Sequence, residues 1–475
     1  MPLEHKKNAD FAEWYLEAVQ KAQLMDYAPT QGCMVFRPDS YFVWERIQAY
    51  LDPLFKADGV RNAYFPIFIP ESFLKQESAH FEGFIPEVAW VTRGGNAELG
   101  ERLALRPTSE AIMYHFFAKW ISSHRDLPLK LNQWTNVIRW DTKTLKPFLR
   151  TREFLWQEGH TAHASKEQAA DQVARALDWY AECCQELLAI PVIKGVKSES
   201  EKFPGALYST TVEAIMPDGK ALQMGTSHHL GQNFAKMFGV KFKTEGEGEE
   251  FAWQTSWGVS TRMIGAAIMV HGDDRGLIWP PKIAPTQVAI VPIFYNDEEK
   301  KMTLLAAERI KSSLSRLNLR IAVDDSPRSP GFKFNESELR GIPIRIEIGL
   351  RDLAKVGVTI ARRDSGEKDF VPEEAIAEHV EFLVTDIQQK LFLKAKLFLE
   401  SHTTPVKNMD EFKAALDETK GFVVAAWCED ARCEEAIKQE TSASIRLVPF
   451  EAKAQGECVY CGKAAKTTAY FAKAY

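Results

Sequence analysis

Apolar positions recur with helical spacing over residues 9–26, where Phe11, Trp14, Tyr15, Ala18 and Val19 share one face. The same spacing predicts a helix over 39–56, with Asp39 or Ser40 as N-cap and Gly59 beyond its end. Residues 60–70 read as a strand broken by Pro66, and residues 111–122 as a helix. Around 134–160 the pattern becomes two strand-like, aromatic-rich runs, joined by a short basic turn containing Lys143, Lys146 and Pro147. A long amphipathic helix is predicted over 166–189, strands over 207–216 and 220–226, and a strand passing into a helix over 253–269. Strands and helices do not alternate regularly here. The expectation is an α+β layout, an antiparallel sheet with helices.

A proline-rich stretch at 278–285 marks a boundary. Beyond it come an apolar strand at 287–294, a helix at 297–317, strands at 319–323, 342–348 and 357–362, and a closing helix at 373–400. That alternation predicts a smaller three-layer α/β domain. A third segment, a small α+β unit, begins near 403. The expected division is 1–283, 284–402 and 403–475. There is no internal repeat and no low-complexity tract.

Composition narrows the class. The 475 residues are 45% hydrophobic and 26% charged, as in ordinary soluble globular chains. A net charge of −6 argues against a uniformly basic nucleic-acid coat but leaves room for a local basic surface. No apolar run reaches membrane-spanning length, and residues 1–7 lack a secretion pattern. A cytoplasmic chain without a membrane partner is expected. Its seven cysteines are then reduced thiols or metal ligands.

Three arginines, Arg139, Arg150 and Arg152, lie inside the strand-like hairpin. A buried guanidinium needs a partner, and a phosphate supplies one; internal ion pairs are the alternative. Thr108 and Glu110, two apart on an extended run, face one side and offer acceptors to a ligand ammonium. Alternatively, Thr108 or Ser109 caps the following helix. In 223–233, polar groups surround Gly225 and Gly231, and glycine permits close approach to a ligand. Adjacent His228 and His229 diverge and make a poor metal pair. Arg262 opens a small-residue helix, where the helix dipole opposes it but an anion suits it.

Together these segments resemble the class II aminoacyl-tRNA synthetases, specifically the prolyl-tRNA synthetases of the archaeal and eukaryotic type. The similarity runs along essentially the whole chain. Residues 60–70 resemble the first family motif, which forms a homodimer interface; 139–153 resemble the second and 260–265 the third. Residues 106–110 and 225–234 carry the proline-specific likeness. Neither a Walker-type phosphate loop nor the class I His-Ile-Gly-His pattern occurs.

The resemblance implies a proline–tRNA ligase. It would activate L-proline with ATP and Mg²⁺ to prolyl-adenylate, release pyrophosphate, and pass the prolyl group to the 3′ end of tRNA(Pro). By motif position, Arg139 bridges the α-phosphate and the substrate carboxylate. Arg150 and Arg262 hold the outer phosphates, and Thr151, Phe154 and Ser260 shape the nucleotide pocket. Gln223 and Thr226 contact ATP and its magnesium. Thr108 and Glu110 take the imino group, Trp156 and His228 wall the ring, and residues 202–206 close over it. Arg152 is left for a structural role with Glu153. Asp141 stands where the family has glutamate against the adenine amino group, and is one methylene shorter.

In the second domain, Phe332, Lys333, Arg345 and Glu347 resemble the anticodon-reading positions, offering stacking and edge hydrogen bonds. A plain strand of alternating charge reads equally well. Cys428 and Cys433, then Cys458 and Cys461, fit a structural four-thiolate zinc site. Cys33, Cys183 and Cys184 read as structural. The tail at 469–475 resembles the family's, which folds back toward the catalytic domain. About 90 residues separate the hairpin from the third motif, too few for an editing insertion. Two rivals fit less well. A threonyl enzyme needs catalytic-site zinc ligands, and an inactive paralogue loses motif arginines.

Overall fold

Helix α1 (Phe11–Lys21) starts where the Asp10 carboxylate accepts from the Glu13 amide, and it turns Trp14, Tyr15, Ala18 and Val19 inward. Helix α2 (Pro38–Ala57) starts on a proline, whose missing N–H costs nothing in a first turn. Its N-cap position is Arg37, so the expected caps lie inside the helix. Ser40 instead donates to the Leu24 carbonyl at 2.6 Å, and Asp39 accepts from Arg340 of the next domain at 2.6 Å. The computed structural model describes residues 2–78, 88–140, 145–246, 248–451 and 456–475.

The central sheet has seven strands: β1 (Arg61–Asn62), β2 (Leu129–Ile138), β3 (Glu153–His163), β4 (Ile193–Val196), β5 (Tyr208–Ile215), β6 (Ala221–Gly231) and β7 (Trp253–Ser260). Their order is β1-β2-β3-β7-β6-β5-β4, antiparallel throughout except for the β1–β2 pair. The α+β expectation holds. Helices α3 (Glu110–Trp120), α4 (Lys166–Glu182) and α5 (Arg262–His271) pack around it. Phe55 meets Trp257 beneath the sheet, ring centroids 5.0 Å apart. Truncating either of these buried rings to alanine removes about 3–5 kcal/mol.

Two local expectations need correction. The hairpin strands end at Ile138 and resume at Glu153, so the described residues of the connection between them, 139–140 and 145–152, lie outside the strands. Pro147 lacks a ladder donor and Phe148 has φ of 59°, both incompatible with continuing strands. Arg139, Arg150 and Arg152 therefore lie on this connection. Helix α4 also stops short of residue 189, widening into a π-turn over Cys183–Leu187 that buries Cys183 and Cys184. Burial pushes both thiols up, as structural cysteines require.

The second sheet comprises β8 (Val288–Pro292), β9 (Ile321–Val323), β10 (Ile344–Ile348), β11 (Gly357–Arg362) and β12 (Lys368–Pro372), in the order β9-β8-β10-β11-β12. Sequence periodicity did not signal β12. Around it lie α6 (Asp297–Ser313), α7 (Pro330–Leu339) and α8 (Ile376–Ser401). The third sheet holds β13 (Thr403–Val406), β14 (Phe422–Trp427), β15 (Ser444–Leu447) and β16 (Thr467–Ala472), with α9 (Met409–Glu418) and α10 (Ala431–Thr441). Asp273, just beyond α5, accepts both guanidinium nitrogens of Arg363 at 2.5 and 2.8 Å, tying the first unit to the second.

Candidate active site

The open face of the central sheet carries a cavity of about 660 Å³. Thr108, Glu110, Arg139, Arg150, Trp156, Gln223, Thr226, His228 and Arg262 all line it. Sequence reasoning placed these residues on four separate segments. The sheet unites them through register: Trp156 on β3 faces Ser260 on β7, and Thr226 on β6 faces Gly258 on β7. Gly258 has no room for a side chain, since a Cβ there meets the Trp156 ring at 2.5 Å. Gly225 serves packing instead of a ligand, because a Cβ there meets Tyr180 and Val259, both at 2.9 Å.

One end of the cavity is acidic. Glu110 is the first residue of α3, and the Thr108 hydroxyl donates to its carboxylate. Ser109 occupies the N-cap position without capping. Its hydroxyl donates instead to Glu158 at 2.5 Å. Glu158 also accepts from Gln133 Nε2 at 3.0 Å and lies 3.1 Å from His160 Nε2. Burial alone would raise this carboxyl; the bonds from His160, Ser109 and Gln133 outweigh it and hold Glu158 below its ordinary range. His160 moves upward: burial opposes its charge, but Glu158 and Glu110 prevail. His228 stands 2.8 Å from the Ser209 hydroxyl with Phe203 against its ring at 4.9 Å. Burial, with Lys197 and His160 nearby, pushes it down to about 3, so it is a neutral wall.

The other end is basic. Arg262 opens α5, donating to the Leu149 carbonyl at 3.4 Å and the Gln223 carbonyl at 3.3 Å. Burial, then repulsion from Arg139 and Arg150, pushes it down to about 10. Such mutual repulsion among buried cations is relieved by an anion. Arg139 lies between the two ends, with Nε on the Pro107 carbonyl at 3.1 Å and its guanidinium over Phe154 and Trp156 at 5.6 and 5.7 Å.

Other expected residues sit elsewhere. The Thr151 hydroxyl is spent on the Glu153 carbonyl at 2.6 Å. Ser260 accepts from the Arg262 amide at 3.2 Å, so it supports the arginine instead of lining the cavity. Phe154 lies beneath Arg139. Asp141 falls outside the described residues. Arg152 is structural, but not through Glu153: it donates to the Gln31 carbonyl at 3.0 Å and stacks on Trp140 at 4.3 Å. Glu153 accepts from Asn136 at 2.6 Å instead.

Several cavity residues were missed. Glu158 and His160 follow Trp156 at two-residue intervals on β3, so strand alternation from Trp156 predicts their face. Lys197, Ser256, Arg446 and Tyr475 also line the cavity. Tyr475 donates to Asp218 at 2.7 Å, and the Lys473 carbonyl accepts from the Ala221 amide at 2.8 Å, which seats the tail on β6.

In the second unit Phe332 is exposed, while Lys333 is buried and donates to the Asp324 carbonyl at 2.8 Å. Arg345 pairs with Glu347 at 2.9 Å, and Glu347 with Lys368 at 2.7 Å. Arg345, Phe334, Arg362 and Lys368 border a cavity of about 220 Å³. In the third unit the sulfurs of Cys428, Cys433, Cys458 and Cys461 lie within 4.8 Å of one another. Cys428 and Cys433 Sγ are 3.6 Å apart and Cys428 and Cys461 3.8 Å, far beyond a disulfide. Tetrahedral zinc with ~2.3 Å bonds spaces its sulfurs by about 3.8 Å, so the four thiols fit that metal.

Comparison with known proteins gives the family. Residues 90–271 match the family described as tRNA synthetase class II core domain (G, H, P, S and T). Residues 287–383 match an anticodon binding domain, and residues 409–475 the prolyl-tRNA synthetase C-terminal domain. The proline–tRNA ligase of Natranaerobius thermophilus is 48% identical over 472 residues, covering 99% of this chain and 97% of that one. That of Cenarchaeum symbiosum is 51% identical over 470 residues, covering 99% and 98%. The crystal structure of prolyl-tRNA synthetase from Cryptosporidium parvum, complexed with halofuginone and AMPPNP, superposes with a TM-score of 0.95 at 44% identity, covering 100% of this chain and 99% of that one.

Proposed function

The chain belongs to the proline–tRNA ligases, a family of class II aminoacyl-tRNA synthetases, and we propose that its two-ended cavity joins proline to ATP where the acidic and basic walls meet. The observation that carries this is the shared lining: Thr108 and Glu110 at one end, Arg150 and Arg262 at the other, Arg139 between. A secondary ammonium needs acceptors, and Thr108 and Glu110 supply them. A small apolar ring needs flat walls, and Trp156 and His228 supply those. Phe203 and Pro204, on the loop proposed to close over proline, already border the cavity.

Arg139 draws the proline carboxylate and the α-phosphate together. A carboxylate oxygen attacks the α-phosphorus in line, and pyrophosphate leaves toward Arg150 and Arg262. Gln223 and Thr226 face the nucleotide and the magnesium ion that class II synthetases use with it. Magnesium supplies charge neutralisation on the phosphates when bound. Thr151, Phe154 and Ser260 then act indirectly, by fixing the connection, Arg139 and Arg262. Asp141 is the proposed reader of the adenine amino group. In the second step a ribose hydroxyl at the tRNA 3′ end attacks the prolyl carbonyl, and AMP leaves.

The remaining parts follow the same reading. The domain limits 1–283, 284–402 and 403–475 are supported by the three largest sheets, which fall one to each span. Phe332 offers an exposed face for stacking, and the Arg345 cavity a basic pocket, for anticodon bases. Four clustered thiols support structural zinc. Exposed Tyr64, Phe68 and Trp120 around the first motif support a homodimer. The archaeal and eukaryotic type, without editing in cis, is supported by the short span between β3 and β7. Seven free cysteines suit a cytoplasmic enzyme.

Proline-dependent ATP–pyrophosphate exchange, run against a panel of amino acids, tests the reading. Proline is expected to dominate; threonine outperforming it overturns the assignment.

A further inference from the structure

Arg446 belongs to β15 of the C-terminal unit, yet its guanidinium is buried in the wall of the catalytic cavity. It donates to Glu213 three times: Nε to Oε2 at 3.3 Å, and Nη2 to Oε1 and Oε2 at 3.2 Å each. Glu213 is fully buried on β5, where it also accepts from the Thr211 hydroxyl at 2.8 Å. Lys197 stands 3.8 Å away. Across the sheet Glu213 is paired with Gln223, next to a β-bulge. The Gln223 carbonyl in turn accepts from Arg262.

The C-terminal unit is fastened at this point. Val196 and Val448 exchange backbone hydrogen bonds at 2.8 Å, and Ser198 donates to Glu434 of α10 at 2.6 Å. Arg446 is thus delivered to Glu213 by a docked strand.

We propose that Arg446 is a positioning residue for the outer phosphates of ATP, acting by saturating Glu213 so that Arg262 and Gln223 stay directed at the nucleotide. The inference rests on the proposed assignment of this end of the cavity to ATP. Its logic is one of competing partners. A buried carboxylate deprived of its guanidinium draws on the cations that remain around it. Lys197, 3.8 Å away, is one of them, and Arg262, whose charge already feels Glu213 across β6, is another; each bond Arg262 makes to Glu213 is one withheld from a phosphate. Arg446 removes that competition from outside the catalytic sheet.

Three variants test this by ATP–pyrophosphate exchange: Arg446→Gln, Arg446→Lys, and Arg446→Gln combined with Glu213→Gln. Arg446→Gln is expected to raise KM for ATP about tenfold while KM for proline moves less than about twofold. Arg446→Lys recovers part of the loss. The double variant recovers most of it, because no carboxylate remains to capture Arg262. An unchanged KM for ATP with a lowered melting temperature overturns the proposal, as do equal rises in both KM values. If Arg446→Gln fails to fold, the lysine and double variants decide by the same split. Wild-type protein from the same preparation separates the two readings. Absent proline-dependent exchange overturns the assigned function; normal exchange with unaltered variants overturns only the role of Arg446.

Discussion

A secondary ammonium and a triphosphate make opposite demands, and the proposed site meets them residue by residue. Glu110 is buried, hydrogen-bonded to Thr108, and placed at the head of α3 where the helix dipole favours its charge. Glu110→Gln is expected to raise KM for proline by about tenfold or more, since a charge-assisted bond of about 1.5–3 kcal/mol is lost, with little change in KM for ATP. Steady-state exchange kinetics measures both. A second residue-level expectation concerns pH. Burial pushes His163 down to about 3 and His271 to about 4. Both are neutral in the fold but bind protons when unfolded below about pH 6.5. Stability from them is present above that pH and is lost as pH falls toward 4. It amounts to about 1–2 kcal/mol per histidine by pH 5. The raised His160 works in the opposite sense. Urea midpoints at pH 7.5 and pH 5 check the slope, and His271→Gln is expected to flatten it. Much of this site was legible by residue type, because arginine inside apolar sequence and a carboxylate near a strand end stand out. Glu158 and His160 were legible too, but only by carrying strand parity on from Trp156. Arg446 was not: nothing local marks a strand arginine as the partner of a carboxylate 233 residues earlier.

Elements were legible where period was strong. The run 253–269 reads directly as β7 and α5, and α1 presents the predicted face. Local chemistry overrode pattern elsewhere. Pro147 and the positive φ of Phe148 keep the described residues between β2 and β3, Arg139 and Arg150 among them, out of the strands. The π-turn after α4 lies outside any periodicity argument, since an inserted residue leaves composition unchanged. At this scale the cysteine cluster makes the clearest prediction. Two of its thiols flank the start of α10, and the other two lie just before β16. One zinc per chain is expected by elemental analysis. Its removal with a chelator should lower the melting temperature by about 5 °C or more, and Cys458→Ser should do likewise without chelator. Well under one zinc per chain would refute the site.

The proline-rich boundary was visible in the sequence, but the way the units face each other was not. It runs through pairs distant in sequence, among them Asp39 with Arg340, Asp273 with Arg363 and Glu213 with Arg446. Charge alone does not say which partners meet. Asp273 lies two residues beyond α5, whose first residue is Arg262, and Arg363 follows directly on β11, beside the basic pocket of the second unit. A single helix therefore separates that pocket from the basic end of the catalytic cavity. Arg363→Gln is expected to leave proline-dependent exchange within about twofold of wild type while lowering the rate of tRNA charging by about fivefold or more. A matched fall in both activities would show that the pair serves stability alone.

The basic end of the cavity is built from guanidinium groups, and this sets how the enzyme meets its surroundings. Even Arg262, pushed down to about 10, keeps its proton across the range in which cells live. The proposed grip on nucleotide is therefore expected not to respond to acidification or mild alkalinity. Simple salts compete with it directly, because every contact is charge on charge. An enzyme that holds its nucleotide in this way would tolerate a drifting internal pH and be taxed by a rising internal ion concentration, a physiological bias carried by the choice of arginine over histidine.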